Sequence, residues 1–256
     1  MHAPNPVFKS MRTAFLADIH ANREAFAAVM ADVKTRGVDQ IVFLGDIVGY
    51  GADPEWCVDQ VMLECSKGAI AVLGNHDAAV ANVRDQMSTN AQITLNWTRG
   101  QLGQDTREFL AALPMEEKRG THLYVHADAS APAKWNYVMD SNDAARSLHN
   151  TAAWLTCVGH VHRPAIYAIA TTGKLTHFVP VTNAPVPLLP QRRWIVVVGS
   201  VGQPRDGNPA AAYSIYDKAT NEITSIRVPY DIDAAAEKIR KAGLPDPLAR
   251  RLKTGQ

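Results

Sequence analysis

Short apolar runs alternate with segments of helical period over roughly the first 160 residues. The run TAFLA precedes a predicted helix over residues 22–35, and QIVFLG precedes a second, PEWCVDQVMLEC, which follows Asp53 and ends near Gly68. A proline directly after an aspartate is a frequent start of a helix. AIAVLG then forms a third predicted strand. This alternation of strands and helices predicts an α/β sandwich.

The pattern changes in the second half of the chain. Helices are predicted over residues 91–102, 107–113 and 142–154, and strands at THLYVHA and LTCVG. Beyond residue 160 the runs AIYAIA, LTHFV, WIVVVGS, AAYSIYD and EITSIRVPY are separated mainly by turns, which predicts antiparallel strands. The Pro-rich segment 181–191 is predicted to be an exposed loop, and a last helix is predicted over 232–242, ending at Gly243.

Length and composition limit the classes of protein that the chain can belong to. With 256 residues, 46% of them hydrophobic and 20% charged, one domain over residues 11–256 is expected, behind a flexible leader over residues 1–10. The net charge of +1 gives no general attraction to a membrane surface or to nucleic acid, so no stable complex with either is expected. No run is long enough to span a membrane, and the three cysteines match no metal-binding spacing. We therefore expect a cytoplasmic protein with reduced thiols, and a homo-oligomer is left open.

Metal-ligating residue types follow directly after five predicted strands. They are Asp18 and His20; Asp46; Asn75, His76 and Asp77; His126; and His160 and His162. In an open α/β sheet, ligands bind outside the carboxyl ends of the strands, so these side chains can converge. Carboxylates, imidazoles and an amide oxygen suit divalent metals such as manganese, iron or zinc. Three or four ligands make one metal site, whereas seven make two.

Each motif alone also has a simpler explanation. Asp18 could cap the following helix, Asp46 could be a turn carboxylate, and His126 could be an ordinary histidine at a strand end. The segments GNHD and GHVH are harder to explain by packing or capping. All five together, each after a strand, favour a metal centre.

In this order, the motifs D-x-H, G-D, G-N-H-D, a lone His after a strand, and G-H-x-H resemble those of the calcineurin-like metallophosphoesterase superfamily. The resemblance extends over residues 12–205. It implies an α/β fold, a four-layer αββα sandwich of two mixed β-sheets flanked by helices, with a centre of two divalent metal ions. Manganese is the first expectation for these ions, with iron, zinc, nickel or magnesium as alternatives.

The resemblance also implies a role for each matching residue. Asp18, His20 and His162 would hold the first metal, and Asn75, His126 and His160 the second. Asp46 would bridge the two ions. His76 would donate a proton to the leaving group, and Asp77 would orient His76.

Three segments narrow the resemblance to the bacterial phosphodiesterase branch that includes YfcE-like enzymes: GDIVGYGADP, GNHDAAV and GSVGQPRDG. In the third segment, Arg205 could bind a non-bridging phosphoryl oxygen. Asn22 could position a ligand or a phosphate, or cap the following helix. The chain departs from the branch at Ala21, where glycine is common, and at VHADAS in place of VHGSP. These departures near Asp128 and Ser130 bear on the choice of substrate.

The resemblance implies hydrolysis of a small phosphodiester by in-line attack of a hydroxide that bridges the two metals. A phosphomonoesterase or a dinucleoside polyphosphate hydrolase could use the same centre, and a catalytically silent binding scaffold is a third alternative. The segment GDIVGYG lacks the arginine that protein Ser/Thr phosphatases of this superfamily carry soon after the bridging aspartate. A phosphate ester of a small molecule is therefore the expected partner.

Overall fold

The computed structural model describes residues 11–81 and 89–256, so the predicted leader over residues 1–10 lies outside the described chain. The strands are β1 (Arg12–Leu16), β2 (Gln40–Phe43), β3 (Ile70–Ala71), β4 (Glu116–Arg119), β5 (His122–Val125), β6 (Leu155–Val158), β7 (Ala165–Ala170), β8 (Leu175–Phe178), β9 (Pro185–Pro187), β10 (Arg192–Val197), β11 (Ala211–Asp217) and β12 (Glu222–Val228). The helices are α1 (Arg23–Thr35), α2 (Pro54–Ser66), α3 (Asn75–Ala81), α4 (Thr89–Gln101), α5 (Gln104–Ala112), α6 (Ser141–His149), α7 (Ile232–Lys241) and α8 (Asp246–Thr254).

The strands form two six-stranded mixed sheets. The first has the order β3-β2-β1-β11-β12-β9 and the second the order β4-β5-β6-β10-β7-β8. Each sheet has three adjacent parallel strands: β3, β2 and β1 in the first, and β5, β6 and β10 in the second. The other pairings in both sheets are antiparallel. The predicted class of two mixed sheets is confirmed.

Alternating side chains of single strands reach different layers of the core. On β1, Leu16 packs toward α1 and α2, whereas Phe15 packs between the two sheets. On β10, Val196 points between the sheets and Ile195 points toward α6. Successive residues of a strand face opposite sides, so a strand buried on both faces is apolar throughout. This arrangement gives the predicted αββα layers.

Two elements correct the sequence-based assignment. The segment predicted to be an exposed loop contains β9, which pairs antiparallel with β12 at the edge of the first sheet. Prolines are tolerated there because an edge strand needs few backbone donors, and Val186 between them packs against the inter-sheet core. The helix over 232–241 is not the last, since α8 begins after a short turn and buries Leu248, Ala249 and Leu252.

Two smaller differences from the sequence-based assignment concern helix α6 and strand β4. Helix α6 ends at His149, five residues before the predicted end at Trp154, and β4 is a charged edge strand with the sequence EEKR. Charged side chains are typical of edge strands, which must avoid pairing with other chains. Cys57, Cys65 and Cys157 are free thiols, as expected. Within the described ranges, no helix has both the length and the apolar character needed to cross a bilayer.

Candidate metal centre

The predicted ligands follow the carboxyl ends of parallel strands from both sheets, and all lie on loops except Asn75, the first residue of α3. Five of them adopt the left-handed backbone conformation, with φ between 50° and 67°: Asp18, His20, Asp46, His160 and His162. Residues other than glycine rarely adopt positive φ, and such strain concentrates at functional sites. The loops are fixed by mutual backbone hydrogen bonds, in which the Asp18 amide donates to the Gly45 carbonyl and the His20 amide to the Asp46 carbonyl.

One of the site's glycines permits a close approach between two of these loops. A Cβ atom at Gly74 would overlap the backbone nitrogen and the carboxylate of Asp46. This glycine lets the start of α3 approach the loop after β2 and allows the His76 amide to donate to Asp46 Oδ1 at 2.9 Å. The chain also turns sharply at Gly45, where φ is +84°.

The first donor set consists of Asp18, His20, Asp46 and His162, all buried, with their ligand atoms within 4.8 Å of one another. His162 Nε2 lies 3.4 Å from Asp18 Oδ1 and 3.1 Å from His20 Nε2. His20 Nε2 is 3.7 Å from Asp46 Oδ2. These atoms could hold one metal ion.

The second donor set consists of Asp46, His126 and His160. His126 Nε2 lies 3.4 Å from Asp46 Oδ2 and 3.1 Å from His160 Nδ1. Asn75 joins this group, because its Oδ1 is 3.2 Å from His126 Nε2. Asp46 therefore belongs to both sets, in the position predicted for the bridging carboxylate.

Backbone carbonyls orient the four imidazoles. The accepting oxygens for His20 Nδ1, His126 Nδ1, His160 Nε2 and His162 Nδ1 belong to Val48, Leu44, Trp135 and Gln203, at 3.0, 2.7, 2.9 and 2.6 Å. A carbonyl only accepts, so the nitrogen that faces it carries the proton.

The positions of these protons show whether the remaining histidine nitrogens can bind a cation. In neutral His20 and His162, they leave two Nε2 lone pairs facing each other at 3.1 Å. Two lone pairs repel at that distance, whereas a cation beside them would attract both. The donor atoms thus fit a divalent metal, with the outer hydrogen bonds that metal-binding histidines typically have.

The pKa values of the donor residues also indicate that the centre suits a bound cation. Burial, reinforced by the Asp46 carboxylate, raises the pKa of Asp18 to about 8, whereas burial lowers the pKa of His20 and of His162 well below the usual value. Burial also opposes charge on His126, but the Asp46 carboxylate outweighs this effect and raises the pKa of His126 to about 9. A cation that binds here would displace protons from the site.

His76 and Asp77 lie beside the donor sets, in the first turn of α3. The His76 ring packs against Tyr50 and His20, with centroids 4.5 and 5.0 Å apart, and its buried Nδ1 makes no hydrogen bond. The predicted contact between Asp77 and this ring is not formed. Asp77 instead accepts hydrogen bonds from the backbone amides of Val48 and Gly74, both at 3.1 Å. It caps α3 and fixes the loop after β2, because an acidic residue in the first turn can reach back to the cap amide.

Arg205 lies at the rim of the centre, on the loop after β10. Its guanidinium carbon is 5.6 Å from the centre of the Tyr50 ring, which itself contacts His20 and His76. The Arg205 amide donates to the carbonyl of the candidate ligand His162 at 3.1 Å. Arg205 is half-buried and close enough to lower the pKa of Asp18.

Comparisons with known proteins agree with this geometry. The sequence pattern of the calcineurin-like phosphoesterase superfamily domain matches residues 11–221. The chain belongs to this superfamily. Phosphoesterases of this family are hydrolases that typically bind divalent metals, and the two donor sets described above are the candidate site here.

Three relatives illustrate the breadth of the match. An uncharacterised protein of Methanocaldococcus jannaschii is 36% identical over 255 residues, which is 97% of this chain and 99% of that protein. The crystal structure of a metallophosphoesterase from Sphaerobacter thermophilus is 34% identical, with a TM-score of 0.84 over 96% of this chain and 100% of that one. A hypothetical protein from Pyrococcus horikoshii shares the fold at 19% identity and a TM-score of 0.76, over 96% of this chain and 99% of that one.

Asn22, the other predicted contact for substrate in this phosphoesterase, has its polar atoms engaged within the protein. Its Oδ1 accepts from the Ala25 amide at 3.1 Å, which caps α1. Its Nδ2 donates to the Gly202 carbonyl at 2.8 Å and to the Tyr230 hydroxyl at 3.3 Å. The structure favours the capping alternative over the substrate contact.

We expect Asn22→Ala to destabilise the protein without impairing its interaction with substrate. Loss of the cap and of the buried bond to Gly202 should lower the free energy of unfolding by roughly 1–3 kcal/mol, measured by urea denaturation. The KM for a small diester should stay within about twofold of the wild-type value. Asn142→Ala, at an exposed position in α6, is the matched control and should change neither quantity. A large rise in KM with unchanged stability would restore the substrate role.

The sequence analysis missed several groups around the centre. The Trp135 carbonyl accepts from His160, and the exposed Tyr137 ring stacks on the same imidazole at 4.1 Å. Gln203 contributes its carbonyl to His162 and its side-chain oxygen to Arg205. Backbone carbonyls have no signature in a sequence. The segment GDIVGYG, which carries part of the family resemblance, contains Tyr50, whose φ is 62°. The sequence did not indicate that the side chain of Tyr50 lies beside the centre.

Proposed function

We propose that this chain is a metal-dependent phosphodiesterase that hydrolyses a small phosphodiester with two divalent cations. The first cation would bind to Asp18, His20 and His162, the second to Asn75, His126 and His160, and both to Asp46. The observation that carries the proposal is the pair of donor sets that share the Asp46 carboxylate, with four histidines oriented by backbone carbonyls.

The protein's own residues would then perform three tasks. Asp46 would hold the two cations together while the histidines stay fixed by their carbonyl partners. Arg205 would bind a non-bridging phosphoryl oxygen with its planar guanidinium. His76 would deliver a proton to the departing oxygen from Nε2, because its Nδ1 is enclosed against Gly49. When bound, two such cations lower the pKa of a water and offset the charge of the phosphoryl oxygens.

Support for a diester substrate comes from the three segments that resemble the bacterial phosphodiesterase branch. Each of these segments contributes one side chain at the rim of the centre: Tyr50, His76 and Arg205. Tyr50 contacts both of the others. The absence of an arginine soon after Asp46 disfavours a phosphoprotein substrate. A monoesterase or a dinucleoside polyphosphate hydrolase with the same centre is the alternative, and we expect manganese and a cytoplasmic enzyme in either case.

The test compares three substrates on the metal-loaded protein. We expect bis-p-nitrophenyl phosphate to be hydrolysed with a higher kcat/KM than p-nitrophenyl phosphate or diadenosine tetraphosphate, by at least about tenfold. The assay is run with Mn²⁺, Fe²⁺, Ni²⁺ and Zn²⁺ in turn, and metal analysis should give two ions per chain. Removal of the metal with a chelator should abolish turnover, and added Mn²⁺ should restore it.

The outcomes separate the alternatives. A higher kcat/KM on the monoester or on the tetraphosphate would show that the protein prefers that substrate class over diesters. No turnover of any substrate with any of the four metals, together with fewer than two bound ions, would favour a silent scaffold.

A further inference from the structure

Arg205 and Arg251 both approach the side-chain oxygen of Gln203 at the rim of the centre. Gln203 Oε1 accepts from Arg205 at 2.8 and 3.2 Å and lies 3.4 Å from Arg251 Nη1. Arg251 belongs to α8, and its Nε donates to the main-chain oxygen of Gln256 at 2.8 Å. Two positive side chains are thus brought together around an uncharged amide.

Arg251 is bonded to the main-chain oxygen of Gln256, and neither arginine pairs with an aspartate or a glutamate of the described chain. Across residues 11–81 and 89–256, no aspartate or glutamate lies within 4 Å of the guanidinium of Arg205 or Arg251. Acidic side chains on the adjoining segments are paired elsewhere: Asp206 with Arg227, and Glu24 and Asp53 with Lys238 at 2.6 and 2.8 Å. Burial and the neighbouring Arg205 charge lower the pKa of Arg251, which reflects the repulsion between the two groups.

The fold holds α8 against the loop that carries Arg205. The Gly207 amide donates to the Gly255 carbonyl at 2.8 Å, and a Cβ at Gly255 would come within 2.8 Å of the Asn208 backbone. On the other side of this loop, the Gln203 carbonyl bonds to the predicted ligand His162. Gln203 also lines a narrow pocket with His20, Tyr50 and Leu252, and neither arginine belongs to the walls of that pocket.

We propose that Arg251 forms an anion subsite beside the metal centre, which binds a second phosphate group of the substrate, and that Arg205 lies between this group and the reacting phosphoryl group and contacts both. The inference rests on the proposed function, because the reacting phosphate must be bound at the metal centre. The substrate class is thereby narrowed to small phosphodiesters that carry a second phosphate group, separated from the scissile one by a short carbon chain.

The number of arginines favours phosphate over a carboxylate. A carboxylate has one charge and is matched by one guanidinium, whereas a phosphate dianion offers three oxygens to two planar donors. An anion between the two groups would also relieve their mutual repulsion. Gln203 would serve as a positioning residue that keeps both guanidinium groups at the rim.

Ligands with one or two phosphates test this subsite on the manganese-loaded full-length chain. Propyl phosphate is compared with ethane-1,2-diyl, propane-1,3-diyl and butane-1,4-diyl bisphosphate, both as competitive inhibitors of diester hydrolysis and by calorimetric titration. We expect the best bisphosphate to bind at least about tenfold more tightly than propyl phosphate. Arg251→Met should remove this preference, a loss of about ten- to a hundredfold for the bisphosphate, and leave the affinity for propyl phosphate unchanged.

Two further variants separate binding from folding. Arg250→Met alters the neighbouring exposed arginine, which pairs with Asp246 at 2.7 Å, and should keep the preference. Arg251→Lys retains the charge without the planar fork and should keep part of it, which covers the case in which Arg251→Met does not fold.

Two results would overturn the inference directly: a wild-type protein without preference for any bisphosphate, or a folded Arg251→Met that retains it. If the manganese-loaded protein hydrolyses no diester and binds neither propyl phosphate nor any bisphosphate, the proposed function fails, and this inference fails with it.

Discussion

Asp46→Asn should reduce the bound metal from two ions to at most one per chain and lower kcat/KM by roughly a thousandfold or more. Asp46 Oδ2 lies 3.7 Å from His20 Nε2 and 3.4 Å from His126 Nε2, so this single oxygen connects the two donor sets. An asparagine keeps the shape of the side chain but loses the negative charge that would offset two cations. Metal analysis of the purified variant and steady-state kinetics on a diester measure the two effects.

Asp246→Asn is the matched control for this change. Asp246 is a half-exposed carboxylate on α8 that pairs with Arg240 and Arg250, far along the chain from every predicted ligand. This variant should keep both ions and full activity. An Asp46→Asn protein that still binds two ions and retains its rate would contradict the bridging role.

His76→Ala should retain both metal ions and lose activity by about 10²- to 10⁴-fold. The loss should be smaller for a diester of p-nitrophenol than for an alkyl diester, because a good leaving group needs less help from a proton donor. His76 contacts Tyr50 and His20 but belongs to neither donor set. The measurements are metal content and the ratio of the two kcat values.

His149→Ala, at an exposed position in the last turn of α6, controls for the loss of an imidazole and should match the wild type in both measurements. A His76→Ala protein without metal would make His76 part of the ion-binding structure. An equal loss of rate with both leaving groups would remove the proton-donor role.

The convergence of the candidate ligands could be predicted because it depends on strand ends. Strands can be recognised from apolar runs, and the carboxyl ends of parallel strands meet at one edge of a sheet. The residues after Leu16 and Phe43 therefore had to approach one another in the first sheet, and those after Val125 and Val158 in the second. That argument needs no knowledge of loop conformation. Five of the candidate ligands adopt positive φ values, which a pattern of apolar runs does not indicate.

The partners of individual polar groups could not be predicted in the same way. Asp77 was assigned to its neighbour in sequence, His76, but it bonds to the amides of Val48 and Gly74. A carboxylate binds equally well to a ring nitrogen or to a backbone amide, and only the path of the chain decides between them. Arg251 was missed for a related reason, since α8 follows a Gly and a Pro that indicated the end of the last helix.

The two sheets contribute to both donor sets, and this division has a mechanical consequence. Asp18 and His20 come from the first sheet and His162 from the second, while Asn75 faces His126 and His160 across the same gap. Each bound ion would therefore cross-link the two sheets, which are also joined by apolar packing and by hydrogen bonds, and would close chain loops of 51 to 142 residues. Movement of one sheet relative to the other would break the bonds between both ions and their ligands. Metal binding would therefore stabilise the arrangement of the two sheets.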